Sequence, residues 1–207
     1  MNYWFLYTKS TGEIYGAPYL GSAEEWTNIP DGCAVLGPFS EDDADAAVKD
    51  AFANADLYVV SNGMLTRKPD ADTVLLQREK DAKLTELTNA YYTALAMPFT
   101  SSASGTPILY SATQEAWAEM QKQLLMNANG IAKWPVPWRA ADGSIVNLDE
   151  MQFKQLASDL RDMELAYLAR FRSIEEQIKA DTTDSPEKVE SIAIDFSNLQ
   201  TTAPTTP

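Results

Sequence analysis

The chain has 207 residues, 45% of them apolar, with 30 acidic against 16 basic side chains and a net charge of −14. That length accommodates one large domain or two small ones, and the negative charge weighs against nucleic-acid backbones and acidic lipid surfaces as partners. There is no histidine, and Cys33 is the single cysteine, which excludes Ser-His-Asp and Cys-His catalysis, zinc held by imidazoles or a thiolate cage, and an intrachain disulfide.

The amino-terminal stretch MNYWFLYTKS has neither the basic start nor the apolar core of a signal peptide, and no apolar run approaches the roughly eighteen residues of a membrane span. A soluble compartment is expected. Residues 3–7, Tyr-Trp-Phe-Leu-Tyr, read as an aromatic strand, core of a small β domain or its contact edge. A polar turn with Gly12 leads to Ile14 and Tyr15 as the returning arm of a hairpin. Prolines 18, 30 and 38 break the next stretch, in which residues 33–36 are the best strand. Ser40 is the expected cap of a short helix, with Glu41, Asp42, Asp43 and Asp45 complementing its dipole and Ala44, Ala47, Val48 and Phe52 on its buried face. Asn62-Gly63 between the apolar runs 57–60 and 64–66 predicts a tight hairpin.

A helix is predicted over 72–96, with Leu84, Leu87, Tyr91 and Leu95 along one side. Residues 99–102 and 106–110 flank Ser104-Gly105 as a second hairpin. Ser111 with Gln114 reads as a capping box for a helix carrying Trp117, Met120 and Leu124, stopped by Gly130. Two prolines between Trp134 and Trp138 force an extended segment, at a sheet edge or over a surface, which turns at Asp142-Gly143 and pairs back through Ile145-Val146. Asn147 and Glu150 then open a helix over 147–180. Its apolar residues Phe153, Leu156, Leu160, Met163, Tyr167, Phe171, Ile174 and Ile178 step by three and four, the coiled-coil-like pattern that lays one seam along a helix. The seam packs on earlier helices or joins a second copy in a homo-oligomer. Past Ala180, Ile192, Ile194 and Phe196 alternate like a short strand able to extend a partner's sheet, and TTAPTTP is too polar to order alone.

The expected architecture is α+β: a small β-rich domain over 1–70, a mainly helical domain with two hairpins over 71–180, and a partner-binding or disordered tail over 181–207. No P-loop or dinucleotide fingerprint occurs, and no cofactor is expected. The acidic cluster at 41–45 lacks the glycine and spacing of a calcium loop, so no metal site is expected either. Carboxylate chemistry needs only two acids facing a substrate, and Asp142, Asp149 and Glu150 near the tryptophans would be its candidates in a hydrolase of cell-surface glycans. The preferred expectation is a binding protein, with Trp134, Trp138, Phe153, Leu160, Tyr167, Phe171, Ile192, Ile194 and Phe196 as candidate partner-contact residues.

Several short motifs carry a resemblance. Phe99 and Tyr110 in a hairpin between two helices, the PVPW segment at 135–138, the V-x-L arm Val146 to Leu148 and the long final helix resemble the carboxy-terminal domain of proteins encoded beside tail-fibre genes of tailed phages and prophages. The TGEI turn at 11–14 and the NG-x-L-x-x-KP run from Asn62 to Pro69 resemble the front of the same proteins. The resemblance implies a role in assembling or attaching the tail fibre or receptor-binding protein. It places the chain in the host cytoplasm during assembly, as a chaperone, or in the virion tail, as a component.

Overall fold

Strand β1, Asn2–Thr8, is the middle of a three-stranded antiparallel sheet. On one side it pairs with β2, Tyr19–Gly21, and on the other with β3, Cys33–Ser40. The structure, a computed structural model, describes residues 1–22, 25–42 and 44–199. Asp43 and the TTAPTTP segment lie outside the described residues. The returning arm expected at Ile14-Tyr15 shrinks to a single bridge, Tyr7 to Ile14. Gly12, at φ 74°, closes the turn by donating its N–H to the Thr8 carbonyl (2.7 Å), and accepts from the Val60 N–H (2.7 Å). That second bond draws the chain away from β1.

Helix α1, Ala46–Ala53, is capped by Asp45, whose carboxylate accepts from the Val48 N–H (2.8 Å). Ser40, the expected cap, is instead the last residue of β3. Strands β4, Tyr58–Ser61, and β5, Met64–Arg67, form the hairpin predicted from Asn62-Gly63. Both turn residues have positive φ, 52° and 73°, as a two-residue turn matched to strand twist requires. Tyr3, Phe5, Val48, Ala51, Leu57, Tyr58 and Ala71 make the buried core of this first unit, which spans Met1–Arg78.

Helix α2, Ala71–Leu95, starts in the first unit and continues into the second, Glu79–Pro207. Its Leu87 is buried, and Leu84, Tyr91 and Leu95 pack beside it on the second core. Strands β6, Phe99–Ser101, and β7, Ile108–Tyr110, form the second predicted hairpin. Helix α3, Gln114–Ala128, is capped by Thr113, which accepts from the Ala116 N–H, not by Ser111. Strands β8, Val136–Arg139, and β9, Ile145–Leu148, pair as expected around the Asp142-Gly143 turn.

Helix α4, Glu150–Lys179, begins with a capping box: Asp149 accepts from the Gln152 N–H (2.9 Å) and the Gln152 side chain accepts from the Asp149 N–H (3.0 Å). Asn147, the expected start, pairs with Pro137 inside β9. Seven of the eight seam residues are buried, and Phe171 is half-buried. A short helix, α5, Pro186–Glu190, follows with Val189 buried. The architecture is α+β, with small sheets first and then a mainly helical unit ending on a long helix.

Candidate functional site

The nine residues offered as partner contacts converge on one place, the second unit's own core. Trp138, Phe153, Leu160, Tyr167 and Phe196 are buried, while Trp134, Phe171, Ile192 and Ile194 are partly buried against them. Phe153 sits between the two indoles, its ring 5.7 Å from that of Trp134 and 5.2 Å from that of Trp138. Phe196 packs on Tyr91 (6.1 Å) and Tyr167 (5.9 Å). These side chains therefore pack with one another inside the second unit. The α4 seam packs against earlier elements of this same chain, with seven of its eight residues buried there. The exposed large apolar residues of α4 are Met151 and Leu165, too far apart for a stripe. The alternating 192–196 stretch is not a strand. It is irregular chain tied down by Phe196 and by the Arg170 guanidinium, which donates to the Asp195 carbonyl (3.2 Å).

The carboxylates a glycan hydrolase would need have other engagements. Asp142 accepts from the Ser144 N–H (2.9 Å), and its bonds to Ser144 hold its carboxyl below the usual range. Asp149 is the cap of α4. Glu150 takes the Lys154 ammonium (2.6 Å) and the Asn127 amide (3.1 Å), which lower it too. A general acid needs its pKa raised, so Asp142 and Glu150 are tuned the wrong way for that role. In the acidic run at 41–45, Asp45 caps α1 and Glu41 pairs with the amino terminus of Met1 (3.4 Å).

The surface of the first unit presents a different opportunity, which sequence reading weighed only loosely. Alternation along β1 sends Tyr3 and Phe5 into the core and Trp4 and Leu6 to the opposite face. There Trp4 lies across from Tyr19 in the β1–β2 register. Trp26 covers both, with ring centroids 6.4 Å from Trp4 and 5.4 Å from Tyr19, the latter edge-on at 89°. The Trp26 indole N–H donates to the Asn28 carbonyl (3.0 Å), which fixes the ring. Tyr15, whose N–H donates to the Leu6 carbonyl (2.7 Å), is 57% exposed and Tyr19 is 45% exposed. The sheet thus has two aromatic faces, one on the first core and one on which Trp4 is buried at 3% exposure while Tyr15 and Tyr19 stay exposed. The β2 strand beside it pairs on one side only among the described residues. The available signal was the unbroken aromatic run 3–7: a half-buried strand alternates with polar residues, and this one does not.

Among the described residues, no helix is long and apolar enough to cross a membrane.

The fold is that of a two-unit α+β protein with exposed tyrosines on its first sheet. The chain belongs to the family described as Domain of unknown function (DUF4376), whose model matches residues 78–196, the helical second unit from within α2 to Phe196. No curated protein and no solved structure matches it.

Proposed function

We propose that this chain is an accessory protein of a phage or prophage tail that binds the tail fibre or receptor-binding protein, as an assembly chaperone or an attachment component. The observation that carries the reading is the outer aromatic face of the first sheet, with Tyr15, Tyr19 and Trp26 beside an open strand edge. Tyr and Trp supply large, rigid contact area at small entropic cost and dominate binding hot spots. An open edge offers backbone hydrogen bonds to an extended segment of a β-rich partner. The motif resemblance at 11–14, 62–69 and 135–148 is what points to a tail fibre or receptor-binding protein as that partner. Its work in the host cytoplasm would be to cover apolar fibre surface that otherwise aggregates.

The test is co-expression with the neighbouring fibre protein and affinity capture. Tyr15→Ser with Tyr19→Ser should weaken capture at least about tenfold, with the circular dichroism spectrum unchanged. Undiminished capture by the double variant would remove the aromatic face as the contact, and no capture by the native chain would remove the fibre as the partner. Mass spectrometry of purified virions separates the two roles: abundant peptides from this chain identify a tail component, and their absence beside cytoplasmic capture identifies a chaperone.

A further inference from the structure

In the second unit, strand β8 belongs to a two-stranded sheet and pairs with β9 on one side only among the described residues. The hydrogen bonds fix which backbone groups face its other edge. The Ala140 N–H donates to the Ser144 carbonyl (2.9 Å), on the β9 side, while the Ala141 N–H donates to the Leu109 carbonyl (2.8 Å), on the β7 side. Backbone groups of an antiparallel strand alternate between its two edges. Trp138 is therefore turned toward β9, and the Arg139 N–H and Pro137 carbonyl are turned away from it. Pro137, with no N–H to donate, stands at a position where β9 requires none.

Strand β7 is in line to cover that edge and does not. It meets the end of β8 in one antiparallel bridge, Tyr110 to Ala140. Three residues later Thr113 caps α3, and the chain leaves as a helix. Beside β8 there remains a groove of about 650 Å³, with Ser111, Thr113, Glu115 and Glu119 on one wall and Trp138 and Arg139 on the other.

The walls carry charge. Glu115 and Glu119, four residues apart, share one face of α3. Bonds to its own backbone N–H and to the Thr113 hydroxyl hold the Glu115 carboxyl below the usual range, so it is ionised at neutral pH. Lys122 approaches Glu119 at 3.6 Å, an exposed pair that contributes little. An open backbone edge selects an extended chain, and two carboxylates on the helix wall select a cation on that chain. Arg139 puts a positive charge on the strand wall, which sets the cation to the helix side. The net charge of −14 draws a basic segment from a distance.

We propose that this groove binds an extended basic segment of another polypeptide. The segment adds antiparallel to β8, where β7 stops short, with a lysine or arginine against Glu115 and Glu119. The inference does not depend on the tail-fibre reading, whose contact lies on the first unit.

The test uses the full chain and the end-capped heptapeptide TVKVKVT, followed by amide NMR. The peptide should bind saturably at submillimolar concentration, with the largest shifts at Arg139 and Ala140. Methylating alternate backbone nitrogens of the peptide gives two probes. The set facing β8 should lose at least about tenfold in affinity and the other set little, because one edge of the added strand makes the bonds. Glu115→Gln with Glu119→Gln should weaken binding at least about fivefold with the circular dichroism spectrum unchanged, and TVEVEVT should not bind. No saturable binding, equal affinity of the two methylated probes, or an unaffected double variant would each overturn the proposal; the last two would mean adhesion to an acidic surface. Shifts centred on Tyr19–Gly21 would move the peptide to the first sheet and overturn it as well. So would Arg139 shifts that follow the chain's own concentration in step with a dimeric mass, which would place a second copy in the groove.

Discussion

Tyr58 and Asp50 show how much a single pair contributes. The buried Tyr58 hydroxyl donates to the Asp50 carboxylate (2.5 Å), which also accepts from the Asn54 amide (2.9 Å). Those bonds lower Asp50, with Tyr58 first; burial and then Asp50 push Tyr58 up to about 12. Tyr58→Phe should cost about 1.5–3 kcal/mol at neutral pH, since a hydrogen bond to a charged group is lost, read as a shift in urea midpoint. Because the folded Tyr58 pKa is raised, its contribution is complete below pH 10 and fades between pH 10 and about 12. Because the folded Asp50 pKa is depressed, its share is complete above pH 3.8 and fades as pH falls through the lowered value. Stability curves of native and Tyr58→Phe protein should therefore converge at both extremes. Gly12 is a second single point of control. A Cβ there would sit 2.3 Å from the Val60 carbonyl oxygen at φ 74°, so Gly12→Ala should cost more than about 2 kcal/mol, measurable by thermal melting. The glycine's turn was legible in TGEI, but its clash was not, because Val60 comes from a strand far along the chain. The caps show the same limit. Ser40 and Ser111 have the right chemistry, but Asp45 and Thr113 stand where the backbone enters the helix, a matter of the preceding strand's length.

Among the elements, α4 was the most legible, because three-four spacing is a local property that survives in any context. What the seam would pack against was not legible, since a second copy and this chain's own helices present the same apolar chemistry. Here β6, β7, β8, β9 and α2 contribute the facing residues, among them Phe99, Tyr110, Trp138, Leu148 and Leu87. Leu160→Ala, at full burial, should cost about 2–5 kcal/mol, whereas Met151→Ala, 82% exposed, should stay within about 0.5 kcal/mol. Paired chemical denaturation of the two variants checks both figures. Asp149→Ala removes one half of the capping box and should cost about 1 kcal/mol. Helix α5 escaped sequence reading because five residues hold too few apolar positions to show a period. Its signals were the Ser185 cap and Pro186 at its first position.

At the scale of the molecule, the segment after α4 belongs to the second unit's core through Val189, Ile192, Ile194 and Phe196. Phe196→Ala should cost about 3–5 kcal/mol and raise amide exchange across α4 while the Asp50–Tyr58 region keeps its protection. Hydrogen exchange read by mass spectrometry distinguishes the two regions. The compositional break at Ala180 suggested a separate tail because polar residues outnumber apolar ones there, yet a few well-placed apolar side chains anchor the stretch as far as Leu199.

Helix α2 crosses the border between the units, and this sets terms for anyone who clones the pieces. A fragment cut at residue 79 would open in mid-helix, leaving its first four amides without acceptors. Moving the start back to Ala71 restores those turns but lays bare Ala71, Val74 and Leu75, which pack in the first unit's core. Neither scissor point gives a clean edge, so recombinant halves should be less soluble than the intact polypeptide, and a gene shuffled at the family boundary would need a replacement cap to express well.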